Sequence, residues 1–280
     1  MAKSEADVIV VGGGNAAFCA ALAAQEQGAS VLMLEAAPEE ESGGNSRFTA
    51  GSVRVAYNGV DDIKALVPDL TDQEIATTDF GTYTREQFFD DMARVTQNRA
   101  DPDLVELLVT RSFDTFCWMR EKGVRFIPIY GRQAFKIEGK FKFWGGLTVE
   151  AVGGGPGLIK MLTDAATKRG IEIRYRTRAL SLLHDGVRVS GVRVRHDGAE
   201  SELQSKSVVL GLVSSKRAEL ESKEGIKRRI DEAAKYCELD QMALSPQCGF
   251  ASTAPGNKLT PDQQFAKLAR VVEVAGEVWR

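Results

Sequence analysis

A glycine-rich turn between two short apolar runs restricts the fold of this chain more than any other feature. Residues 7–35 read DVIVVGGGNAAFCAALAAQEQGASVLMLE. Val8–Val11 is a continuous apolar run, which is typical of a strand buried on both faces. The turn leads into an alanine-rich helix that Gly28 ends, and a second strand follows at Ser30–Leu34. This order predicts a βαβ unit with its glycines at the start of the helix.

The spacing of the small residues in that turn indicates a dinucleotide site. In Gly12-x-Gly14-x-x-Ala17, the first glycine permits a tight turn and the second lets the backbone approach a pyrophosphate. Ala17 allows the helix to pack closely on the strand. The amino end of a helix also offers unpaired N–H groups and partial positive charge to phosphates. We therefore expect Gly12, Gly14, Asn15 and Ala16 to contact the cofactor.

An acidic residue stands at the end of the second strand. There, the Glu35 carboxylate can accept hydrogen bonds from both hydroxyl groups of an adenosine ribose, and it would repel the 2′-phosphate of NADP. Ala36, which follows it, is included among the expected cofactor contacts. The alternative interpretation is a glycine-rich turn in an α/β domain that binds no nucleotide.

A second loop of small residues favours FAD over NAD. It lies in the segment AAPEEESGGNSRFTAGSVRVAYNG after Glu35, where a simple NAD domain would normally continue into an ordinary helix. Exposed amides in this loop suit a long cofactor whose flavin end must also be held. The alternative is a flexible loop exposed to solvent. The loop residues expected to contact FAD are Ser42, Gly43, Gly44, Asn45, Ser46, Thr49 and Gly51.

Three segments resemble the flavoprotein family of fumarate reductase and succinate dehydrogenase. They are VVGGGNAAFCAALAA, SGGNSRFTAG and FWGGLTVEAVGGGPGLIKMLTDAATKRGIEIRYRTRAL. The resemblance runs from Asp7 to Leu210 and is strongest to the members that oxidise tricarballylate. It implies that the first glycine loop holds the FAD pyrophosphate, Glu35 the ribose, and Ala179 the adenine through its backbone. It also implies that Ser42–Ser46 lies along the flavin, from which family members transfer a hydride to or from a small di- or tricarboxylate.

Local signals in the middle of the chain predict a helical and hairpin insertion at about residues 60–145. Thr84 and Gln87 form a capping-box pattern for one helix, and Asp101-Pro102 opens the next. The segment VRFIPIYGRQAFKIEGKFKFWGG alternates as short strands with a turn at Glu138-Gly139.

Further glycines precede an amphipathic helix after the insertion. Gly153–Gly155 either present the amino end of this helix to a ligand or simply allow a tight turn. A β-meander follows, with turns at Asp185-Gly186 and Asp197-Gly198.

The last quarter of the chain departs from the flavoprotein family. In that family, a strand like Val208–Leu210 leads to another glycine pair, a capping domain and a final FAD-binding segment, and none of these follows Gly211. Ser207–Trp279 instead resembles the last two strand–helix units of the barrel in the cobalamin-independent methionine synthase family. We therefore predict a chimera, with an FAD-binding domain at residues 1–211 and a tail at residues 207–280.

The predicted fold is α/β. A Rossmann-like FAD-binding domain combines a parallel central sheet with the β-meander, and a C-terminal βαβα extension resembles a quarter of a TIM barrel. In the extension, Ile226 and Ile230 predict one helix, LDQMALS a strand, and Asp262–Val278 a second helix.

The methionine synthase resemblance implies that Cys248 corresponds to a zinc ligand. A catalytic zinc needs three protein ligands, and the strands that supply the other ligands are missing here. Cys248 is therefore expected to be an orphaned free thiol, and no metal site is predicted.

Composition excludes several classes of partner. The 280 residues carry a net charge of −3, which argues against a protein that binds nucleic acid or a membrane surface. No apolar run approaches the ~18 residues of a membrane span, and the chain starts without the apolar region of a signal peptide. Cys19, Cys117, Cys237 and Cys248 form no C-x-x-C pair, so we expect a cytoplasmic protein with free thiols.

Three functions fit the sequence. The first is an FAD-dependent oxidoreductase for a small carboxylate, poorly active or inactive because the cap is missing, with an unknown electron-transfer partner. The second is a non-catalytic protein that binds FAD or another nucleotide, and the third is a zinc-dependent methyltransferase that uses the tail.

No catalytic residue is assigned. Arg47 and Arg54 flank the flavin loop or are surface charges, and His184 and His196 are expected in surface turns.

Overall fold

The computed structural model describes residues 6–143, 145–184, 189–209 and 222–234, with helical residues at 266–267, 270, 273–274 and 277. The chain divides into two compact units. The first unit combines Met1–Phe48 with Leu162–Arg280, and the second is Thr49–Met161. The predicted insertion at about residues 60–145 lies inside the second unit, whose bounds are wider.

The described residues form both strands and helices, and the first unit begins with a β-α-β order. The strands are β1 (Ala6–Val11), β2 (Val31–Leu34), β3 (Ser52–Val53), β4 (Tyr57–Asn58), β5 (Thr78–Asp79), β6 (Thr82–Tyr83), β7 (Phe126–Pro128), β8 (Ala134–Ile137), β9 (Lys140–Phe143), β10 (Val149–Ala151), β11 (Glu172–Arg174), β12 (Thr177–His184), β13 (Val189–His196) and β14 (Ala199–Val209). The helices are α1 (Asn15–Glu26), α2 (Val60–Leu66), α3 (Asp72–Thr77), α4 (Arg85–Thr96), α5 (Pro102–Glu121), α6 (Tyr130–Gln133), α7 (Gly154–Lys168) and α8 (Lys223–Ala234). Short 3₁₀ helices lie at Glu39–Glu41 and Gly44–Phe48.

The first unit is built on one six-stranded sheet, in the order β11-β2-β1-β14-β13-β12. The pairings among β11, β2, β1 and β14 are parallel, and those from β14 through β13 to β12 are antiparallel. A parallel centre with an antiparallel meander confirms the predicted fold class. The apolar residues that join the two halves of the sheet in one buried cluster are Ala6, Ile9, Leu32, Leu34, Val192, Val194 and Leu203.

The first helix lies where the sequence predicts it and ends before Gly28, and one of its faces is buried. Phe18, Ala21 and Leu22 are buried at the i, i+3 and i+4 positions of one face, while β-branched residues are absent from the helix. Burial of Phe18 and Leu22 stabilises the unit by about 1.5–3 kcal/mol each. The helix ends before Gly28, whose φ of +83° turns the chain toward β2.

The second unit contains small sheets and a helix pair. Its sheets have the orders β3-β10-β7, β4-β6 and β5-β9-β8. The predicted caps are confirmed, because Thr84 and Gln87 form a complete capping box on α4 and the Asp101 carboxylate accepts from two amides at the start of α5. The predicted turn at Glu138-Gly139 joins β8 to β9.

The strand β14 belongs to the central sheet. The sequence predicted that the resemblance to the flavoprotein family ends at this strand and that the resemblance to the methionine synthase family begins there. Ser207, Val208 and Val209 pair in parallel with Val8, Ile9 and Val10 of β1. Residues 210–221 follow outside the described residues, as do the predicted LDQMALS strand, the Asp185-Gly186 turn, and the two tail cysteines, Cys237 and Cys248.

Beyond β14, the described part of the tail is mainly helical. Ile226 and Ile230 of α8 are buried, as the predicted stripe requires, and Val274 is buried in a segment that falls inside the predicted helix Asp262–Val278. Ion pairs join Lys223 of α8 to Glu273 and Glu277. None of the helices in the described parts of the chain is long and apolar enough to cross a membrane.

Candidate cofactor site

The turn between β1 and α1 is held against the end of β2. The Gly12 amide donates to the Leu34 carbonyl over 2.7 Å. Gly12 has a φ of +121°, a conformation that residues with a side chain rarely adopt. Its conformational role therefore agrees with the sequence prediction of a tight turn.

The amino end of α1 presents backbone donors. Gly14 is the N-cap residue and has no side chain to accept from the first turn, while the Asn15 amide donates to Ser46 Oγ over 3.0 Å. The first amide bonded back to the cap is that of Phe18, which donates to the Gly14 carbonyl. The N–H groups of Ala16 and Ala17 consequently lack an acceptor within the helix, which favours an anion at this point.

The protein itself does not fill the space beside Gly14. A Cβ on Gly14 would lie 3.6 Å from the Gly43 carbonyl oxygen and from Ser46 Oγ, which is ordinary van der Waals contact. The described residues therefore tolerate a Cβ atom at this position, and the absence of a side chain on Gly14 leaves the helix end open.

The neighbouring glycine has a different role, which the sequence pattern did not predict. A Cβ on Gly13 would lie 2.5 Å from Glu35 Oε2 and 3.2 Å from the Glu35 Cγ and Cδ atoms. Gly13 thus allows the carboxylate to pack directly against the turn. The G-x-G-x-x-A pattern gave no signal for this position, because it leaves the residue between the two glycines unspecified.

Glu35 is fixed at the carboxyl end of β2. Its Oε1 accepts from the Ala37 amide over 2.8 Å, and no described residue donates to Oε2. Its own amide donates to the Arg174 carbonyl, and its carbonyl accepts from the Thr177 amide. The residue is 9% exposed, so a largely buried carboxylate stands beside Gly13.

The loop Ser42–Ser46 is packed against the same helix end. Ser42, Gly43 and Ser46 are buried, which contradicts the alternative of a solvent-exposed loop. Ser46 Oγ accepts from the Asn15 amide, and Ser42 Oγ donates to the Glu39 carbonyl over 2.8 Å. Gly43 and Gly44 have φ values of +108° and +53°, which explains why the loop needs glycine at both positions.

Ala179 lies on the edge strand of the first-unit sheet. It pairs with Val194, and its side chain packs against the buried cluster. The register shifts between Ala179 and Ser181, and such bulges leave backbone groups outside the ladder. An edge strand with a bulge offers backbone donors and acceptors of the kind that an adenine ring uses.

Thr49 and Gly51 brace the start of α7 within the second unit. The Gly155 amide donates to the Thr49 carbonyl, and the Ala151 amide to the Gly51 carbonyl, both over 2.9 Å. A Cβ on Gly51 would approach the Gly154 carbonyl carbon to 3.0 Å. Gly153 and Gly154 both have positive φ, which supports the tight-turn interpretation of these glycines.

Arg54 belongs to a partly buried cluster rather than to the open surface. Its guanidinium donates to Thr148 Oγ1 over 3.2 Å, lies 5.3 Å from the centre of the Tyr83 ring, and is 3.8 Å from Asp91. The Tyr83 hydroxyl donates to Asp91, and burial together with this carboxylate raises the pKa of Tyr83 to about 12. Arg47 also contacts the protein, since its guanidinium donates to the Ser42 carbonyl.

The histidines and cysteines form no site in the described part of the chain. His196 Nδ1 is 2.9 Å from Thr177 Oγ1 and the side chain is largely exposed, while His184 ends β12. Burial raises the pKa of Cys19 to about 11 and also raises the pKa of Cys117. The described residues include no group of three or more metal-binding side chains.

Residues 7–239 match the FAD binding domain family. The chain belongs to that family. FAD is accordingly its cofactor, and the residues present fit FAD. The amino end of α1 offers backbone donors, and Glu35 offers a carboxylate acceptor next to the glycine turn, which is the chemistry that a dinucleotide requires.

Curated relatives of this FAD-binding chain include two that reduce fumarate. The fumarate reductase (cytochrome) of Shewanella frigidimarina is 32% identical over 51% of this chain and 22% of the relative. The NADH:fumarate oxidoreductase of Klebsiella pneumoniae is 30% identical over 45% of this chain and 13% of the relative. The uncharacterized protein YxjG of Bacillus subtilis is 47% identical over 36% of this chain and 29% of the relative. The chain thus spans less than a third of each of these proteins.

Solved flavoproteins share the fold. The 3-ketosteroid-delta4-(5alpha)-dehydrogenase of Rhodococcus jostii RHA1 superposes with a TM-score of 0.57 at 22% identity, covering 76% of this chain and 47% of that chain. The open conformation of a flavocytochrome c3 fumarate reductase gives a TM-score of 0.55 at 24% identity, covering 98% of this chain and 40% of that chain.

Proposed function

We propose that this chain is the FAD-binding part of an oxidoreductase for small di- or tricarboxylates. When bound, FAD supplies a hydride acceptor or donor at flavin N5. The observation that carries the proposal is the amino end of α1. Gly14 leaves space beside this helix end, and Ser46 Oγ accepts a hydrogen bond from the Asn15 amide. The two relatives named for fumarate support the oxidoreductase class.

The proposal gives each part of the cofactor its own residues. The turn and helix start at Gly12, Gly14, Asn15 and Ala16 would hold the pyrophosphate, because the first amides of a helix have no acceptor within it and carry partial positive charge. Glu35 would accept from the ribose, with Ala36 beside it. The backbone of Ala179 would contact the adenine. The residues proposed to lie along the flavin are Ser42, Gly43, Gly44, Asn45, Ser46, Thr49 and Gly51.

We propose tricarballylate as the substrate within this class. Tricarballylate contains the same two-carbon unit between carboxylates that fumarate reductases act on, with one further carboxylate. The support is the resemblance of the glycine loops and of the segment around α7 to tricarballylate-oxidising flavoproteins. Neither Arg47 nor Arg54 is offered as a carboxylate clamp, because both guanidinium groups already contact the protein.

We further propose that residues 1–211 form the FAD-binding domain and that residues 207–280 are a tail of separate, methionine synthase-like origin. The support is the resemblance of Ser207–Trp279 to the last strand–helix units of the barrel in the cobalamin-independent methionine synthase family. Because a segment of separate origin follows the proposed FAD-binding domain, we expect this chain to bind FAD without substantial turnover. A non-catalytic FAD-binding protein is therefore the second candidate.

The experiment is reconstitution of the purified protein with FAD, followed by gel filtration and an absorption spectrum. Retained flavin supports the binding role. Two assays then separate the candidates. In the first, fumarate is added to protein whose bound flavin has been reduced anaerobically. In the second, tricarballylate and an artificial electron acceptor are added to protein whose bound flavin is oxidised. Reoxidation or dehydrogenation at a steady rate would establish a catalyst, contrary to our expectation for this chain. Flavin binding without either reaction would favour the non-catalytic candidate.

A further inference from the structure

A short reversal between β11 and β12 is bonded to both sides of the Glu35 turn. The Glu35 amide donates to the Arg174 carbonyl over 2.9 Å, and the Glu35 carbonyl accepts from the Thr177 amide over 2.8 Å. The Ala37 carbonyl accepts from the Arg176 amide over 3.0 Å. Because three backbone hydrogen bonds join the two segments, the position of the acidic turn depends on the shape of the reversal.

The reversal has a backbone conformation that needs support. Arg176 has a φ of +53°, in the left-handed region that residues with a side chain seldom occupy. Such a conformation persists only where the surrounding structure holds it. The hydrogen bonds of the next residue, Thr177, provide this support.

The Thr177 hydroxyl closes the reversal. Thr177 is 2% exposed, and its Oγ1 donates to the Tyr175 carbonyl over 2.9 Å. The bond joins the two residues on either side of Arg176, so it spans the left-handed position. It is made by the side chain of the same residue whose amide holds the Glu35 carbonyl.

The neighbouring strand holds the same hydroxyl. Thr177 lies opposite His196 in the antiparallel pair of β12 and β13, and His196 Nδ1 is 2.9 Å from Thr177 Oγ1. The single proton of the hydroxyl is donated to the Tyr175 carbonyl, so Oγ1 accepts from an N–H at Nδ1. The other ring nitrogen, Nε2, is 3.5 Å from the Asp197 carboxylate. The hydroxyl is therefore fixed by one donor and one acceptor.

The reversal influences where the carboxylate of Glu35 lies. Glu35 Oε1 accepts from the Ala37 amide, and the carbonyls of both residues are bonded to the reversal. Hydrogen bonds weaken steeply when their geometry departs from the preferred range. A small displacement of this turn would therefore weaken a bond from a ribose hydroxyl to the carboxylate.

We propose that Thr177 is a positioning residue for the ribose acceptor Glu35 and that His196 supports it from β13. The inference rests on the proposed function as an FAD-binding chain, in which Glu35 accepts from the adenosine ribose. It adds two residues that the dinucleotide pattern does not contain. Thr177 acts through the reversal and through Glu35, without contacting the ribose itself.

The test compares the binding of two nucleotides to the full chain after any bound FAD has been removed. ADP carries both ribose hydroxyls, whereas 2′-deoxy-ADP lacks the 2′-hydroxyl, one of the two donors proposed for Glu35. Thr177→Val removes the hydroxyl and keeps a side chain of similar shape, and we expect it to weaken ADP binding by about five- to tenfold. Binding of 2′-deoxy-ADP should weaken by less than about twofold. Thr177→Ser restores the hydroxyl and should bind ADP within about twofold of wild type.

Ser205→Ala is the matched control. Ser205 is 6% exposed in β14 of the same sheet, and its Oγ donates to the Ser207 carbonyl, again two residues away, over 3.1 Å. It pairs with Ala6 at the start of β1, at the opposite end of that strand from the glycine turn. We expect this variant to bind both nucleotides with the dissociation constants of wild type.

A purely structural role of Thr177 gives a different result. It predicts equal losses for ADP and 2′-deoxy-ADP in Thr177→Val, or a lower melting temperature with unchanged affinities, and either result would overturn the inference. Failure of Thr177→Ser to restore ADP binding would overturn it as well.

His196→Ala carries the test if Thr177→Val does not fold. The His196 side chain is 56% exposed, and its removal takes away the donor to the same hydroxyl. We expect a loss of ADP affinity that 2′-deoxy-ADP does not share. No loss, or an equal loss for both nucleotides, would overturn the inference.

The wild-type measurements distinguish the inference from the proposed function. Wild-type protein that does not bind FAD removes the proposed function. Wild-type protein that binds FAD without preferring ADP to 2′-deoxy-ADP removes the ribose role of Glu35 and this inference with it. Wild-type protein that shows the preference, together with a Thr177→Val protein that keeps it in full, removes only the role of Thr177.

Discussion

The Glu35 carboxylate occupies the space into which a side chain on Gly13 would project, with Oε2 2.5 Å from the position of a Cβ. The acid at the end of β2 and the turn after β1 are therefore fitted to each other before any ligand binds. Gly13 determines where the carboxylate lies, while Gly14 determines what can approach the helix end.

We predict that Gly13→Ala displaces Glu35. The added carbon also lies 3.2 Å from Cγ and Cδ, so rotation of the carboxylate alone does not relieve the contact. We expect a loss of about 1–3 kcal/mol in the free energy of unfolding, the usual range for overpacking, together with weaker FAD binding. Urea unfolding of the apoprotein and calorimetric titration with FAD measure the two effects. Wild-type stability combined with wild-type FAD affinity in this variant would contradict the close packing of Glu35 on Gly13.

We predict that Ser46→Ala weakens both the helix end and the cofactor site. Ser46 Oγ satisfies the Asn15 amide, and loss of a helix-capping acceptor typically costs about 0.5–2 kcal/mol. Thr84→Ala is the control, because it removes a side-chain cap of α4 in the second unit. Both variants should unfold at lower urea concentration, and only Ser46→Ala should lose FAD affinity. Equal FAD affinity in the two variants would show that Ser46 does not contribute to FAD binding.

Asp7 predicts a pH dependence of stability. Hydrogen bonding to Lys206, and then to Ser30, lowers the pKa of Asp7 well below its ordinary value. A carboxyl with a lowered folded-state pKa stabilises the fold above its unfolded pKa and loses this effect as pH falls through the folded value. The stability advantage of wild type over Asp7→Asn should thus be full at about pH 7 and shrink below about pH 4. Urea unfolding of both proteins across this range measures it, and an advantage that does not change with pH would refute the role of the charge.

The elements that the sequence predicted correctly are those that depend on residues close together in the chain. The βαβ unit, the caps at Thr84 and Asp101, and the hairpin at Glu138-Gly139 each depend on residues a few positions apart, and all are confirmed. The bond from Asn15 to Ser46 joins residues 31 positions apart, and no local pattern announces it. Such contacts arise only when separate segments are packed together.

The same limit explains the other residues that were missed. Arg54, for example, meets Asp91 and Thr148 only through packing of the second unit. The arginine was predicted only as a flavin-loop or surface charge, because charge alone does not reveal burial. The tail was predicted from resemblance alone, and beyond Val209 the described part of the chain includes little of it apart from helical residues.

The FAD content of Gly14→Val tests the central claim most directly. A Cβ at position 14 meets the described residues only at ordinary contact distance, so we expect the variant to fold, while its valine fills the space proposed for the pyrophosphate. Gly131→Val is the control, because a Cβ there meets no described atom within 4 Å. We predict that wild type and Gly131→Val retain FAD after reconstitution and gel filtration, and that Gly14→Val binds it at least about a hundredfold more weakly. Undiminished FAD retention by a folded Gly14→Val protein would contradict the account.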